Sequence, residues 1–463
     1  MNTEEFDVVI VGAGPAGLFT ALDLVERGGL EVAIIDKGPD IEERRCPAFE
    51  GGACVRCRVC SLLSGWGGAG AFSDGKLTYS PDVGGWLTEL VGREKMLELM
   101  GRVDEIYLRF GAPRKIYGED EDKVADIAVR AARAGLKLVP QKVRHLGTDG
   151  CVKVLKAMRS YLGRRTEVRM RTAVSEVIAR DGRVEGVRTA DGDEIRARYV
   201  VVAPGRGGAG WLKDVASRLG LRTTTNPIDV GLRVEVPYVV AEELTEALYE
   251  PKLVYYSRRF DDKVRTFCVA PHGYVITEYY DGIITVNGQS FSDRSKWTEN
   301  TNFAILVSAA FTKPFEDPIA YGKHLSSLTN LISGSVLVQR LGDLLRGRRS
   351  TPERISRSVV RPTLPSATPG DLAFVMPYRF LMDILEMLKA LDALMPGVYN
   401  RHTLLYGAEV KFYSLRVEVN EHLETPIRGL FAAGDGAGLT RGLAQASISG
   451  LMVAEEIARR EGA

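Results

Sequence analysis

Four of the six cysteines lie within fifteen residues, in "CPAFEGGACVRCRVC", Cys46 to Cys60. Cys46, Cys54, Cys57 and Cys60 follow the spacing C-x7-C-x2-C-x2-C. Three closely spaced cysteines plus a remote Cys-Pro echo the ligand pattern of ferredoxins, although here the Cys-Pro comes first. Tetrahedral zinc suits the same four sulfurs, with x2 spacing tighter than most zinc ribbons use. Free or disulfide-paired thiols are the third reading. Arg56 and Arg58 stand between the cysteines and favour thiolates or an anionic cluster. Directly downstream, "GWGGAGAFSDGKL" places Gly65, Gly67, Gly68 and Gly70 around Ala69, a backbone bare enough for a flat ring or a phosphate to rest on. The polar groups Ser73, Asp74 and Lys76 follow.

The elements that would position this segment begin at the N-terminus. "FDVVIVGAGPAGLFTALDLVERGGLEVAIIDKG" is a compact strand–helix–strand unit. Phe6 to Val11 is an apolar run broken only at Asp7, suited to a strand buried on both faces. Gly12, Gly14 and Gly17 follow at G-x-G-x-x-G spacing, with Pro15 and Ala16 opening a helix. Gly12 permits the turn, Gly14 lets backbone approach a diphosphate, and Gly17 lets the helix sit close to the sheet. The second strand ends in Asp36 and Lys37. Asp36 suits a ribose 2′-hydroxyl and repels a 2′-phosphate. The fragment reads as a dinucleotide site.

Near the C-terminus, "RGLFAAGDGAGLTRGLAQASISGLMVAEEI" contains a short strand, then Gly434-Asp435-Gly436. A helix follows after Gly442, with Leu443 at its start and Ala444, Ala446, Gly450 and Ala454 on its small-residue face. This resembles the second FAD motif of the glutathione-reductase-like flavoproteins. The resemblance implies that Asp435 holds the ribityl chain and that the helix N-terminus faces the flavin, where its dipole favours the reduced, anionic ring. Two motifs so far apart must then meet on one cofactor, so the FAD domain is split in sequence. In the same flavoproteins a valine placed like Val174 meets the adenine through its backbone, and a turn placed like Ala203-Pro204-Gly205 passes the diphosphate. "GRGGAG", Gly205 to Gly210, formally repeats the G-x-G-x-x-G spacing, but the acid that should close the next strand is missing. A second full nucleotide domain is therefore not expected.

A narrower resemblance rests on "GGAGAFSDGKL", "RHLGTDG", "PIDVGLRVE", "RTFCVAPHG", "VNGQS", "TNFAILV" and "LYGAEVKFYS", which recur in this order. Together they resemble a family of uncharacterised FAD-dependent dehydrogenases over nearly the whole chain. The resemblance implies an FAD-bound oxidoreductase and names no substrate. It places Gly67, Gly68, Ala69 and Asp74 at the cofactor.

From about residue 216 to 400, alternation and hairpin signals such as "YYDGII" predict an antiparallel sheet. Flavoproteins of this type place such a sheet over the ring as a substrate lid. Lys76, Cys268 and His272 are the catalytic candidates; Asn287, Asn302 and His145 are weaker ones. Glu409 and Lys411 read either as a flavin-facing pair or as a solvated one. The seven arginines from Arg340 to Arg361 read as a solvated loop, and Phe380, Ile384, Leu388 and Leu391 as a core helix.

The expected fold is α/β, a split Rossmann-like, glutathione-reductase-like FAD-binding domain carrying an inserted antiparallel β-rich substrate domain. Expected boundaries are 1–215 and 401–463 for the FAD domain and 216–400 for the insert. Lys+Arg 61 against Asp+Glu 60 leaves a formal charge of +1, which offers no field for nucleic acid. No apolar run is long enough for a membrane span, and the acidic start is unlike a leader, so a cytoplasmic location is expected. The leading expectation is an FAD-dependent dehydrogenase or reductase acting between an organic substrate, or NAD(P)H, and flavin. The alternative is an electron-transfer flavoprotein that passes electrons through a [4Fe-4S] cluster to a protein partner.

Overall fold

The structure, a computed structural model, describes residues 4–47, 55, 57–280, 282–309, 311 and 317–462. The chain forms two compact units. The first takes segments 1–114, 148–226 and 413–463; the second takes 115–147 and 227–412.

The first unit is built on a seven-stranded sheet. Its order is Glu167–Arg169, Val32–Ile35, Glu4–Val11, Glu194–Val202, Arg183–Thr189 and Val174–Arg180, with Leu430–Ala432 paired to the far end of Glu194–Val202. The central pairings are parallel, with Val8 opposite Val32 on one side and Tyr199 on the other. Val8 to Val11 are buried, as a strand covered on both faces requires. The helix Pro15–Arg27 starts with proline in its first turn and stops at Gly28, whose φ is +78°. It crosses the C-terminal helix Leu443–Glu461 at close range. A Cβ at Gly450 would lie 2.2 Å from the Ala16 carbonyl oxygen, and Thr20 Oγ1 donates to the Gly450 carbonyl at 3.1 Å. The two ends of the chain thus meet in one unit, as a split cofactor domain demands.

The second unit contains an eight-stranded sheet in the order Thr368–Pro369, Leu337–Arg340, Leu404–Lys411, Ile228–Pro237, Asn300–Ala309, Lys263–Ala270, Leu253–Tyr256 and Leu136–Leu138. Every neighbouring pair is antiparallel except Leu337–Arg340 with Thr368–Pro369, so the sheet is mixed only at its edge. The expected hairpin pairs Tyr274–Tyr280 with Ile283–Gln289. Phe380, Ile384, Leu388 and Leu391 of the helix Tyr378–Leu391 are buried in this unit's core.

The chain crosses between units after 226 and after 412, where the sequence suggests 215 and 400. Segment 115–147, expected in the FAD domain, belongs to the second unit. Its three-residue strand Leu136–Leu138 completes the sheet edge against Leu253–Tyr256. Among the described residues, no helix is long and apolar enough to cross a membrane.

Candidate cofactor site

The loop between the first strand and the first helix shows why each of its glycines is glycine. Gly12 has φ +112°, and a Cβ there would sit 2.1 Å from the Ala203 carbonyl oxygen. A Cβ at Gly17 would sit 2.0 Å from the Gly12 carbonyl oxygen. The protein itself demands both. Gly14 differs. Its φ of −81° suits any residue, and the nearest atom to an added Cβ is Gly68 Cα at 3.9 Å, an ordinary contact. Neither backbone strain nor a protein neighbour accounts for glycine at 14. A ligand that packs against the bare Cα at the helix N-terminus does, and a diphosphate fits that place. Gly205 and Gly442 also have nothing within 4 Å of an added Cβ, at φ +61° and +91°.

Asp36 organises the surrounding loops. Its Oδ2 accepts from the Ala13 amide at 2.9 Å. Its Oδ1 accepts from the Gly38 and Gly65 amides at 2.7 and 2.9 Å. One carboxylate thereby ties the first glycine turn, the end of the second strand and the downstream glycine loop. Lys37 Nζ donates to the Gly207 carbonyl at 2.8 Å, joining the Ala203-Pro204-Gly205 region to the same place. Ala203 itself is fixed by its amide, which donates to the Val11 carbonyl at 2.8 Å. The Gly67 amide donates to the Ala13 carbonyl at 2.7 Å, so the second glycine loop rests on the first. Gly434, at φ +76°, brings its Cα close to Ala16. The Asp435 carboxylate accepts from Thr440 Oγ1 at 2.7 Å and from the Gly442 amide at 3.2 Å. Burial raises its pKa, opposed by Thr440 and by Arg206 and Arg441. Pro15, Ala16, Leu443, Ala444 and Ala446 lie on the two crossing helices, and Val174 opens its strand opposite Thr189.

The catalytic candidates separate. Lys76 lies in the first unit, where its Nζ is 2.9 Å from Asp74 Oδ2 in a buried ion pair. Cys151 is buried beside Asp74, and burial pushes its thiol up to about 12. Cys268 and His272 lie in the second unit. His272 has φ +51°, its Nδ1 lies 2.8 Å from the Thr298 carbonyl, and its ring is stacked on both Tyr238 and Trp297. That is the setting of a packed, structural imidazole. Cys268, at φ +50° in a β-bulge, has its Sγ 3.9 Å from Asn287 Oδ1. His145 Nε2 lies 2.7 Å from Tyr249 Oη and 3.2 Å from Ser290 Oγ. Of the four thiols proposed as metal ligands, Cys54 lies outside the described residues. Among the described residues, no three His, Cys, Asp or Glu side chains form a group able to hold a metal ion.

Comparison with known proteins agrees with this geometry. Residues 7–45 match the family model described as FAD dependent oxidoreductase. Residues 228–412 match that described as FAD-dependent protein, C-terminal domain-like. Both matched segments are thus similar to families of FAD-dependent proteins. An uncharacterised protein from Clostridium beijerinckii is 26% identical, with 98% of this chain and 82% of that protein covered. Among solved structures, L-proline dehydrogenase from P. horikoshii is 14% identical with a TM-score of 0.43. Glycine oxidase from Geobacillus kaustophilus is 15% identical with a TM-score of 0.41. Each comparison covers 99% of this chain and 95% of the other. Likeness at this level says nothing about the substrate of the flavoprotein described here.

Two buried arginines escape sequence reasoning. In the second unit, Arg233 is fully buried and donates through Nε and Nη2 to the two Glu409 oxygens at 2.8 and 2.7 Å. Lys411 Nζ is 2.9 Å from the same carboxylate, so Glu409 and Lys411 are neither solvated nor a lone pair. In the first unit, Arg44 is buried among main-chain carbonyls beside the glycine loop. Its sequence context, "IEERRCP", reads as exposed charge, and only the fold shows otherwise.

Proposed function

We propose that the protein is an FAD-dependent dehydrogenase or reductase whose first unit holds the cofactor, exchanging reducing equivalents with a small organic molecule or with NAD(P)H. The observation that carries this reading is Gly14, a glycine at the helix N-terminus that neither its backbone conformation nor a protein neighbour requires. When bound, FAD supplies reversible acceptance of a hydride equivalent. The chain's part is to hold and orient. Gly14 and the helix N-terminus would receive the diphosphate, Asp435 the ribityl hydroxyls, and the Asp36-tied loops would fix the cleft. Lys76, held by Asp74, is the first cation after the glycine loop and the candidate for contact with reacting groups. A cluster or zinc at Cys46, Cys54, Cys57 and Cys60 forms no part of this reading.

The test is a glycine series. Gly14→Ala should leave the fold intact by circular dichroism and melting temperature while weakening FAD binding about tenfold or more, because the methyl occupies the diphosphate's place. Gly12→Ala and Gly17→Ala should lose the fold itself, since their methyl groups collide with main-chain oxygens. If Gly14→Ala binds FAD as tightly as the parent, measured by flavin fluorescence, the cofactor is not where this reading puts it.

A further inference from the structure

Arg44 is 2% exposed. Its Nε and Nη2 donate to the Ser61 carbonyl at 2.8 and 2.6 Å, and Nη2 also donates to Leu62 at 3.0 Å. Its Nη1 donates to the carbonyls of Trp66 and Gly68 at 2.7 and 2.8 Å. The guanidinium carbon lies 4.8 Å from the centre of the Phe72 ring. All five N–H donors are therefore satisfied. The charge is not. Carbonyls supply hydrogen bonds and no net negative charge, and among the described residues Arg44 forms no ion pair. Burial lowers its pKa to about 10, with Asp36 and Cys60 the opposing influences. The Asp36 carboxylate acts on Arg44 at a distance, and among the described residues it is bonded to three main-chain amides and not to the guanidinium. A buried cation without a carboxylate partner is costly unless something else compensates it.

The loop shows where a further anion would meet this charge. Arg44 draws the Trp66 and Gly68 carbonyls onto one side, and Gly67 and Gly68 adopt φ of +85° and +55°. Gly68 also packs on Gly14, where an added Cβ on Gly68 would be 3.0 Å from Gly14 Cα. Arg44 is therefore bonded to the residue that rests on the turn where the diphosphate would sit.

We propose that Arg44 is the buried cation that sets the glycine loop against the cofactor's diphosphate and balances its charge without touching it. This rests on the FAD reading above. It makes Arg44 a positioning residue, since its donors are all spent on carbonyls, and it acts through loop geometry and through a field little screened at this depth.

The experiment compares the FAD-loaded parent with Arg44→Met and Arg44→Lys. It measures FAD affinity by flavin fluorescence, competition by ADP as a bare diphosphate probe, the flavin midpoint potential, and the melting temperature of each apoprotein. Arg44→Met should weaken FAD and ADP together by about tenfold or more and move the potential of the bound flavin downward, because a positive charge favouring the reduced anion is gone. Arg44→Lys keeps the charge with only three donors, so it should melt earlier yet bind FAD within about threefold of the parent at an unchanged potential. An Arg44→Met protein that folds and keeps parental affinity for FAD and ADP would overturn the proposal. Should Arg44→Met fail to fold, Arg44→Lys decides: a lysine variant with a displaced potential or a tenfold loss of affinity refutes the charge role. Failure of the parent itself to take up FAD is a different result, which removes the cofactor reading and this role with it.

Discussion

Both units bury arginines, and Arg233 in the second and Arg44 in the first are treated in opposite ways. In the second unit, burial alone would weaken the charge on Arg233, yet the Glu409 carboxylate and the Cys268 thiol beside it outweigh that penalty and its pKa is raised. In the first unit, nothing outweighs burial for Arg44, and its pKa is lowered. A cation with its counter-ion built in has no need of a ligand and serves the fold. Arg44, hydrogen-bonded among the described residues only to carbonyls, is the cation that we propose a bound anion completes, and it stands beside the glycine loop. Whether a buried charge is paired within the chain thus separates architecture from binding in this molecule.

The sharpest way to break the comparison is to make Arg233 resemble Arg44. Glu409→Gln leaves Arg233 and Lys411 buried without a carboxylate, and the expected cost is about 3–5 kcal/mol of stability, read from urea or thermal unfolding. FAD affinity should be far less affected than stability. The acid limb carries the same information. Burial raises the Glu409 pKa, but Arg233 and Lys411 bring it net below the usual value. Stabilisation by this group is therefore complete above about pH 4.5 and disappears as pH falls through the depressed value. A Glu409→Gln protein as stable as the parent at neutral pH would show that Arg233 tolerates isolation, and Arg44 would lose its distinction.

The contrast also explains what could be read in advance. The first glycine turn was legible because it needs particular residues at fixed spacing: Gly12 and Gly17 are dictated by collisions with Ala203 and Gly12, and Gly14 by its bare surface. Gly434-Asp435 announced itself likewise, through a turn before a helix of small residues. The strand Ile228–Pro237 is less legible. Asp229, Gly231, Arg233 and Glu235 alternate with Val230, Leu232, Val234 and Val236, a pattern that ordinarily means one wet face. Here both faces are buried, because the polar face meets partners such as Glu409, 176 residues later. No local pattern announces a partner that far away. Arg44 was hidden for a different reason: its partners are backbone carbonyls, which every sequence possesses. The four-cysteine segment, so prominent as a motif, has one member, Cys54, outside the described residues.

A smaller test uses a buried acid in place of a buried base. Asp383, on the helix Tyr378–Leu391, is fully buried with no hydrogen bond to either carboxylate oxygen. Burial raises its pKa to about 6; the Asp262 carboxyl adds to the rise, while Ser257 and Arg379 oppose it. Arg379 is already committed to Asp262, with which it makes two hydrogen bonds at 2.5 and 2.7 Å. A carboxyl whose folded pKa exceeds its unfolded value binds the proton more tightly when native, so stability falls as pH rises from about 4 to about 6 and stays reduced above. Asp383→Asn should therefore stabilise the protein by about 1–2 kcal/mol at pH 8, allowing for partial solvent screening, and by little at pH 4. Equal gains at both pH values would mean that the change acts through packing.

The mildest expected effect comes from Lys411. It is the second cation on Glu409, and removing it leaves Arg233 bound to both oxygens of the carboxylate. Lys411→Met keeps the apolar stem and its packing near Phe267, whose ring centre lies 5.8 Å from the lysine nitrogen. Exchanging one member of a buried ion cluster for a hydrophobic side chain is often close to neutral when the remaining charges still balance, and Arg233 with Glu409 do. The expected change in unfolding free energy is about 0–1 kcal/mol, well below that of Glu409→Gln. Equal losses from the two variants would mean that one carboxylate is needed by two cations at once. Arg233 could then no longer serve as the example of a charge fully paired within the chain.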